Sequence, residues 1–203
     1  SFPTRRSSDL VPGQGLAILL KNGTFHSTLN LNTPLQAMAV RVRFHRLYTI
    51  CNIYLNPAQI ISVHQLQNLL NQLPAPIIMA GDFNGKHIHW GCDTIDSHGR
   101  LLEAFLTSSS LVCLNDGSPT HFHVQTATSS AIDLTLCSAQ LAPALTWEVL
   151  NDTYGSDHFP VLISEDRPVP VHREPRFNLT KAHWPEFRRL TNIDSAGLLA
   201  AST

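Results

Sequence analysis

A chain of 203 residues with 43% hydrophobic content is long enough to bury one core, and its length favours one domain over two. Charged residues make up 14% and the net charge is −1, so no overall basic surface marks a nucleic-acid binder; any contact with phosphates has to come from a local patch or a metal. The longest clean apolar run, LAILL with its neighbours, is about six residues against the roughly 20 that cross a bilayer, and no charged segment followed by an apolar one suggests a signal peptide.

The opening decapeptide SFPTRRSSDL, Ser1 to Leu10, has no hydrophobic period. It resembles, along its whole length, the in-frame translation of a common sequencing adapter. It is therefore expected to be foreign to the fold, with the natural chain continuing upstream of Val11. From Gly15 onward LAILLK reads as a strand and KNGT as a turn. LQAMAVRVRF and LYTICNIYL are two β-rich runs joined by a short polar link, which predicts a hairpin. In NPAQIISVHQLQNLLNQLP, residues Val63, Leu66, Leu70 and Leu73 recur at three- and four-residue spacing, the pattern of a helix with one apolar face stopped by Pro74.

PIIMAG then reads as a continuous apolar strand, of the kind buried on both faces. A second helix is expected from Asp96 or Ser97, either of which can cap it, burying Leu101, Leu102, Phe105 and Leu106. Short strands follow at LVCL, HFHV, AIDLTL, LTWEVL and FPVLIS. Beyond Glu165 come Pro168, Pro170, Pro175 and Pro185. The core domain is thus expected to span 11–164, and 165–203 to be a proline-rich linker with a short helix in LTKAHWPEFRRL. Cys51, Cys92, Cys113 and Cys137 are widely spaced, as free thiols in a reducing compartment would be. Strands interleaved with helices predict a layered α/β sandwich.

Four polar clusters fall at strand ends: Tyr54 in NIYLNP, Asp82 and Asn84 in GDFN, Asp133 in SAIDLTL, and Ser156, Asp157 and His158 in YGSDHFP. Singly, each has an ordinary structural explanation, as a turn, a solvent-facing strand residue or a polar loop. Together they supply three carboxylates, an amide and a histidine. Asp82 and Asn84, two apart on an extended segment, project the same way, whereas Asp157 and His158 are consecutive and diverge. Asp133 is available to orient the imidazole. This set suits metal-assisted attack on a phosphodiester: carboxylates for a hard cation, an amide to donate to a phosphate oxygen, and an aspartate-held histidine to stabilise charge or pass a proton. Ser156, Asp157 and His158 are not a hydrolase triad, being adjacent and without a nucleophile elbow. A zinc site from His87, His89 and Cys92 lacks a fourth ligand at familiar spacing. His121 and His123 share a strand face and are expected to face solvent.

GDFN, SAIDLTL and GSDHFPV, in that order, resemble the endonuclease/exonuclease/phosphatase superfamily. GDFNGKHIHWGCDTIDSHGRLLEAF is similar, more narrowly, to the endonuclease domain of jockey-type non-LTR retrotransposons, and GLAILLKN, LNTPLQAMAVRV and TICNIYLNP extend the likeness over roughly Gly15 to Ser164. The resemblance implies a four-layer α/β sandwich of two mixed sheets flanked by helices, here missing its first strands. It implies Mg²⁺-dependent nicking of DNA, with Mn²⁺ as a substitute, in the nucleus, and a reverse transcriptase domain downstream. By the same resemblance Asp82 would deprotonate water, Asn84 would contact phosphate and water, Asp133 would hold His158, and His158 would stabilise the phosphoryl group. Asp157 would bind metal, while Tyr54, Thr120 and Ser156 would contact the phosphate or the DNA backbone. The family's first-strand asparagine and its metal-anchoring glutamate have no counterpart here, so the chain is expected to be impaired. A small-molecule phosphatase of the same superfamily and a non-functional mobile-element remnant are the alternative readings.

Overall fold

A computed structural model of the chain describes residues 15–165 and 184–186. The predicted strand at LAILLK does not form: residues 16–21 have no ladder partner among the described residues. Leu19 is 87% exposed, and the segment touches the sheet where Asn52 Nδ2 donates to the Ala17 carbonyl at 3.1 Å. Apolar composition alone does not make a strand, because its backbone groups still need a partner edge. The turn predicted at KNGT is present, closed by Thr24 N–H donating to Lys21 O at 3.0 Å. It delivers the first strand, Phe25–Leu29 (β1), which pairs antiparallel with Gln36–Arg43 (β2).

β2 and Leu47–Tyr54 (β3) form the expected antiparallel hairpin. After it comes the helix Val63–Leu70 (α1). Ser62 caps it: the Gln65 backbone N–H donates to Ser62 Oγ, and Ser62 N–H donates back to Gln65 Oε1 at 2.9 Å. Leu66 and Leu69 are its fully buried residues, with Val63 and Leu70 half-buried beside them. The strand Ile77–Asp82 (β4) then lies parallel to β3, the arrangement a crossover helix produces. The second helix, Ser97–Thr107 (α2), is capped by Asp96, whose Oδ1 accepts from Gly99 N–H at 2.7 Å. It buries His98, Gly99, Leu102 and Phe105, while Leu101 and Leu106 are half-buried.

The strands Leu111–Cys113 (β5), His121–His123 (β6), Thr128–Ser130 (β7) and Asp133–Ser138 (β8) follow, then Leu145–Val149 (β9) and Val161–Glu165 (β10). β7 has no apolar pattern to betray it, and it pairs with β6 as a small hairpin. The main sheet has the order β1-β2-β3-β4-β8-β5. One face carries Cys51, Ile53, Ile77, Met79, Leu134 and Leu136 into a core with Leu66, Leu69, Leu102 and Phe105 of the two helices. The other face carries a smaller cluster around Tyr48, Cys137 and Leu141. There the β9–β10 ribbon attaches through Trp147 Nε1–H donating to Thr135 Oγ1 at 3.1 Å, and Tyr48 donates its hydroxyl proton to Glu165 Oε2 at 2.6 Å. This is the layered α/β arrangement expected. β4 departs from expectation in detail: Ile77 and Met79 are buried, but Ile78 and Ala80 are half-buried, because the two-stranded ribbon covers its side less completely than the helices cover theirs.

The chain divides into two compact units, residues 1–166 and 167–203. In the second, residues 184–186 are helical. The rest of the predicted LTKAHWPEFRRL helix lies outside the described residues, as do residues 166–183 and the decapeptide Ser1 to Leu10.

Gly81 sets how closely β4 approaches its neighbour. Its φ is +151°, and a Cβ at this position would stand 1.9 Å from the Ile53 carbonyl oxygen. Gly81→Ala therefore has to prise β4 from β3, and urea unfolding should show a loss of more than about 2 kcal/mol. Ser62→Ala, which removes the α1 cap without touching the sheet, should cost about 1 kcal/mol.

Candidate active site

The sheet register brings the polar clusters together. Tyr54 at the end of β3 pairs with Asp82 at the end of β4, and Asp82 pairs with Asp133 at the start of β8. Residues opposite one another on adjacent strands share a face, so Tyr54, Asp82 and Asp133 form one row across three strands. They line a cleft of about 570 Å³ together with Gln36 and Asn52.

Just past β4 the chain turns through a left-handed conformation at Asn84, φ +46°, a region that asparagine tolerates. The turn folds Asn84 back on Asp82: its backbone N–H donates to Asp82 Oδ1 at 3.0 Å and its Nδ2 to Asp82 Oδ2 at 2.7 Å. Nδ2 also donates to Leu55 O at 3.2 Å. Both amide hydrogens are thus engaged, which corrects the expectation that Asn84 donates to a phosphate; its Oδ1 is the atom that can meet a water. Burial, and then the charge of Asp133, push the Asp82 carboxyl up to about 6, against the opposing bonds from Asn84 and the charge of His158.

Asp133 and His158 meet as expected, with His158 Nδ1–H donating to Asp133 Oδ2 at 2.8 Å. That bond raises the imidazole's pKa above its ordinary value; burial opposes it, and the charges of Asp133, Asp82 and Asp157 support it. The loop bearing His158 is tied to β6 by Phe122 N–H donating to Asp157 O and Phe159 N–H donating to Thr120 O, each at 2.8 Å. Exposed Ser156 accepts the His158 backbone N–H at 3.1 Å through its hydroxyl.

Thr120 is fully buried, and its Oγ1 accepts the Asp133 backbone N–H at 3.0 Å. The expected contact with a DNA backbone does not fit that burial: Thr120 holds Asp133 from behind. Asp157 does not diverge from His158 as expected: its side chain, 64% exposed, turns toward His121 Nε2 at 3.7 Å, and one ligand atom from each of the three residues lies within 4.8 Å of the others.

His121 is the residue that sequence reasoning misplaced. Its side chain is 15% exposed, and its ring meets that of His158 edge-on, with centroids 4.6 Å apart. Burial, and next the neighbouring His158, lower its pKa. The alternation of HFH correctly puts His121 and His123 on one face, but the bridge from His121 to His158 joins segments far apart in sequence. No local pattern could have supplied it.

His87, His89 and Cys92 do not converge as a zinc site. Cys92 is buried and its thiol points to Ala131 O at 3.5 Å, while Glu103 of α2 approaches His87 at 3.5 Å and His89 at 3.8 Å. The segment serves packing: Trp90 is buried with its Nε1–H donating to Gly85 O at 2.9 Å. A Cβ on Gly99 would stand 1.9 Å from Lys86 O, so α2 lies directly against the chain leaving Asn84.

Comparison with known proteins matches residues 48–162 to the family described as Endonuclease-reverse transcriptase. The chain is 26% identical over 152 residues to the RNA-directed DNA polymerase from mobile element jockey of Drosophila melanogaster, covering 73% of this chain and 16% of that protein. It is also 26% identical over 159 residues to the probable RNA-directed DNA polymerase from transposon X-element of the same organism, covering 75% of this chain and 17% of that one. The chain thus spans about a sixth of the length of these relatives. Among solved structures, the endonuclease domain of TRAS1, a telomere-specific non-LTR retrotransposon, has the same fold, with a TM-score of 0.62 at 24% identity over 70% of this chain and 66% of that one.

The two shifted groups have separable pH signatures. Asp82 carries a folded pKa of about 6 against an ordinary 3.8, so its carboxyl favours the folded state most below about pH 4 and that advantage is lost as pH rises through about 6. The Tm of Asp82→Asn relative to wild type should accordingly climb across that window. His158 is raised above 6.5, so its bond to Asp133 stabilises fully below that pH and fades as pH rises through the folded value. His158→Gln should then cost the most Tm below pH 6.5 and progressively less as pH rises above it.

Proposed function

Because the chain belongs to the Endonuclease-reverse transcriptase family, within the endonuclease/exonuclease/phosphatase superfamily, we propose that its site hydrolyses a phosphodiester bond of DNA. The observation that carries this reading is the meeting of the Asp133–His158 pair with Asp82 across paired strand ends. An isolated turn or solvent-facing strand residue would not need that arrangement.

In this reading Asp82, with a pKa brought near neutrality, takes a proton from the attacking water while Asn84 Oδ1 accepts a second hydrogen bond from it. His158, kept protonated more readily by Asp133, presents positive charge where the phosphoryl group gathers negative charge. The Tyr54 hydroxyl donates to a non-bridging oxygen from the cleft wall, and Ser156 meets the backbone from the exposed loop. Asp133 and Thr120 act through His158 and are positioning residues. Cleavage that leaves a 3′-hydroxyl would suit a chain whose relatives are RNA-directed DNA polymerases, with the nick priming synthesis by a reverse transcriptase domain of the same polyprotein in the nucleus.

Ligand atoms of histidine and carboxylate cluster at His121, Asp157 and His158 and at His87, His89 and Glu103. A divalent cation in such a site would polarise the phosphoryl oxygens. Mg²⁺, which the resemblance implies, asks for about six oxygens in near-octahedral array, and the described residues do not fit it. Asn84 donates to both oxygens of Asp82 and His158 to Oδ2 of Asp133, which leaves these carboxylates only part of their lone-pair capacity. No described residue takes the place of the family's anchoring glutamate. Turnover by this chain is therefore expected to be weak.

Conversion of supercoiled plasmid to open circle tests the proposal. Slow nicking by the 203-residue chain, falling by about 10²-fold or more in Asp82→Asn and in His158→Ala and unchanged in Glu148→Gln on exposed β9, would support it. Undiminished nicking in a cooperatively folded His158→Ala protein would remove the site assignment. Turnover of a soluble phosphate ester without nicking would favour a small-molecule phosphatase.

A further inference from the structure

The poor fit to Mg²⁺ has a counterpart in what the same end of the domain does offer. His121, Asp157 and His158 each present one ligand atom, all within 4.8 Å of one another. The set is two imidazoles and one carboxylate, a mixture that matches borderline transition cations better than hard ones.

The two rings are also held from behind. Asp133 Oδ2, an acceptor when ionised, takes the Nδ1–H of His158 at 2.8 Å. That leaves the lone pair of the neutral imidazole on Nε2. Ser130 Oγ lies 3.4 Å from His121 Nδ1 and can accept its proton, leaving His121 Nε2, 3.7 Å from Asp157 Oδ2, as the outward donor. A carboxylate or hydroxyl fixing the far nitrogen of each ring is the outer shell that metal-binding histidines use. Asp157, 64% exposed, can swing onto a cation without breaking a buried contact.

The other histidine group lacks this disposition. His87 Nδ1 accepts the backbone N–H of His89 at 3.2 Å, so the proton of its neutral ring sits on Nε2, facing Glu103 Oε2 at 3.5 Å. That nitrogen donates to a carboxylate and has no lone pair for a metal.

We propose that His121, Asp157 and His158 form an N,N,O site for a borderline divalent cation of the Co²⁺ or Zn²⁺ kind, selected over Mg²⁺ by the second imidazole, His121. The proposal rests on the reading of Asp157 and His158 as site residues, and its readout is binding, not cleavage. A cation on His158 Nε2 takes the place of the proton assigned to that ring, so positive charge stays at that position in either state.

Titration of the full chain with Co²⁺, followed by calorimetry and by the visible absorption of the bound ion, tests it. One Co²⁺ per chain, displaced by Zn²⁺ and retained in excess Mg²⁺, is the expected result. His121→Asn and Asp157→Asn should each weaken Co²⁺ by about tenfold or more, with His89→Gln unchanged. A cooperative melting curve for each variant guards against misfolding. Manganese-induced broadening of the His121 and His158 imidazole signals in the wild-type chain provides a check that needs no variant. Equal Co²⁺ affinity in folded His121→Asn, loss of binding in His89→Gln instead, or no Co²⁺ binding by the folded wild-type chain would each overturn the site. None of these outcomes depends on plasmid nicking, so the site can fail while the endonuclease reading stands, and the reverse.

Discussion

The site depends on one constraint, the pinning of β4 between β3 and β8. The ladder sets Tyr54, Asp82 and Asp133 side by side because three strands reach the same edge of the sheet in register. A slip of one residue would turn Asp82 to the opposite face and leave Gly81 in its place. Gly81 matters here for the lack of a side chain, since the Ile53 carbonyl occupies the volume a Cβ would need. The same close approach places Asp82 where the neighbouring strands can reach it.

Bringing two carboxylates to one edge is electrostatically costly, and the surrounding residues answer that cost with hydrogen bonds. Asn84 spends its backbone N–H and one side-chain hydrogen on Asp82, and His158 spends its Nδ1–H on Asp133. The residual cost appears as the raised pKa of Asp82. This arrangement leaves a carboxyl with a pKa of about 6 beside an imidazole that holds its proton more readily than a free one. Both oxygens of Asp82 and Oδ2 of Asp133 each carry a hydrogen bond from the protein, while the exposed Asp157 lies beside two imidazoles.

The unequal faces of the main sheet bear on the same edge. Helices α1 and α2 seal one side with a continuous apolar core, and Gly99 lets α2 lie against Lys86, immediately after the Asn84 turn. The GKHIHWG segment accordingly acts as a wedge: Trp90 fills the space under the turn, and the His87–Glu103 contact fastens it to α2. On the other side the β9–β10 ribbon both covers the sheet and leads into the loop carrying Ser156, Asp157 and His158. Packing on one face therefore shapes the Asp82 turn, and packing on the other delivers the imidazole.

Read alone, the sequence determined the elements whose instructions are local. Alternation in QAMAVRVR and LYTICNIY specified the β2–β3 hairpin, the three- and four-residue spacing after Ser62 specified α1, and Asp96 ahead of an apolar face specified α2. GDFN, SAIDLTL and GSDHFPV offered Asp82, Asn84, Asp133 and His158 as candidates, with Asp133 available to orient an imidazole, and the fold makes that contact with His158. What only the tertiary structure decided concerns partners. LAILLK is apolar enough for a strand yet has no described edge to pair with, and the polar Phe25–Leu29 and Thr128–Ser130 are strands because β2 and β6 lie beside them. Burial of Thr120, the engagement of both Asn84 amide hydrogens, the replacement of Cys92 by Glu103 beside His87, and the packing of His121 on His158 all arise from segments distant in the chain. Periodicity and residue chemistry act over a few positions and are written in the order of the letters, whereas the partner of a backbone edge or a side chain is set by which distant segment the core packing brings alongside it.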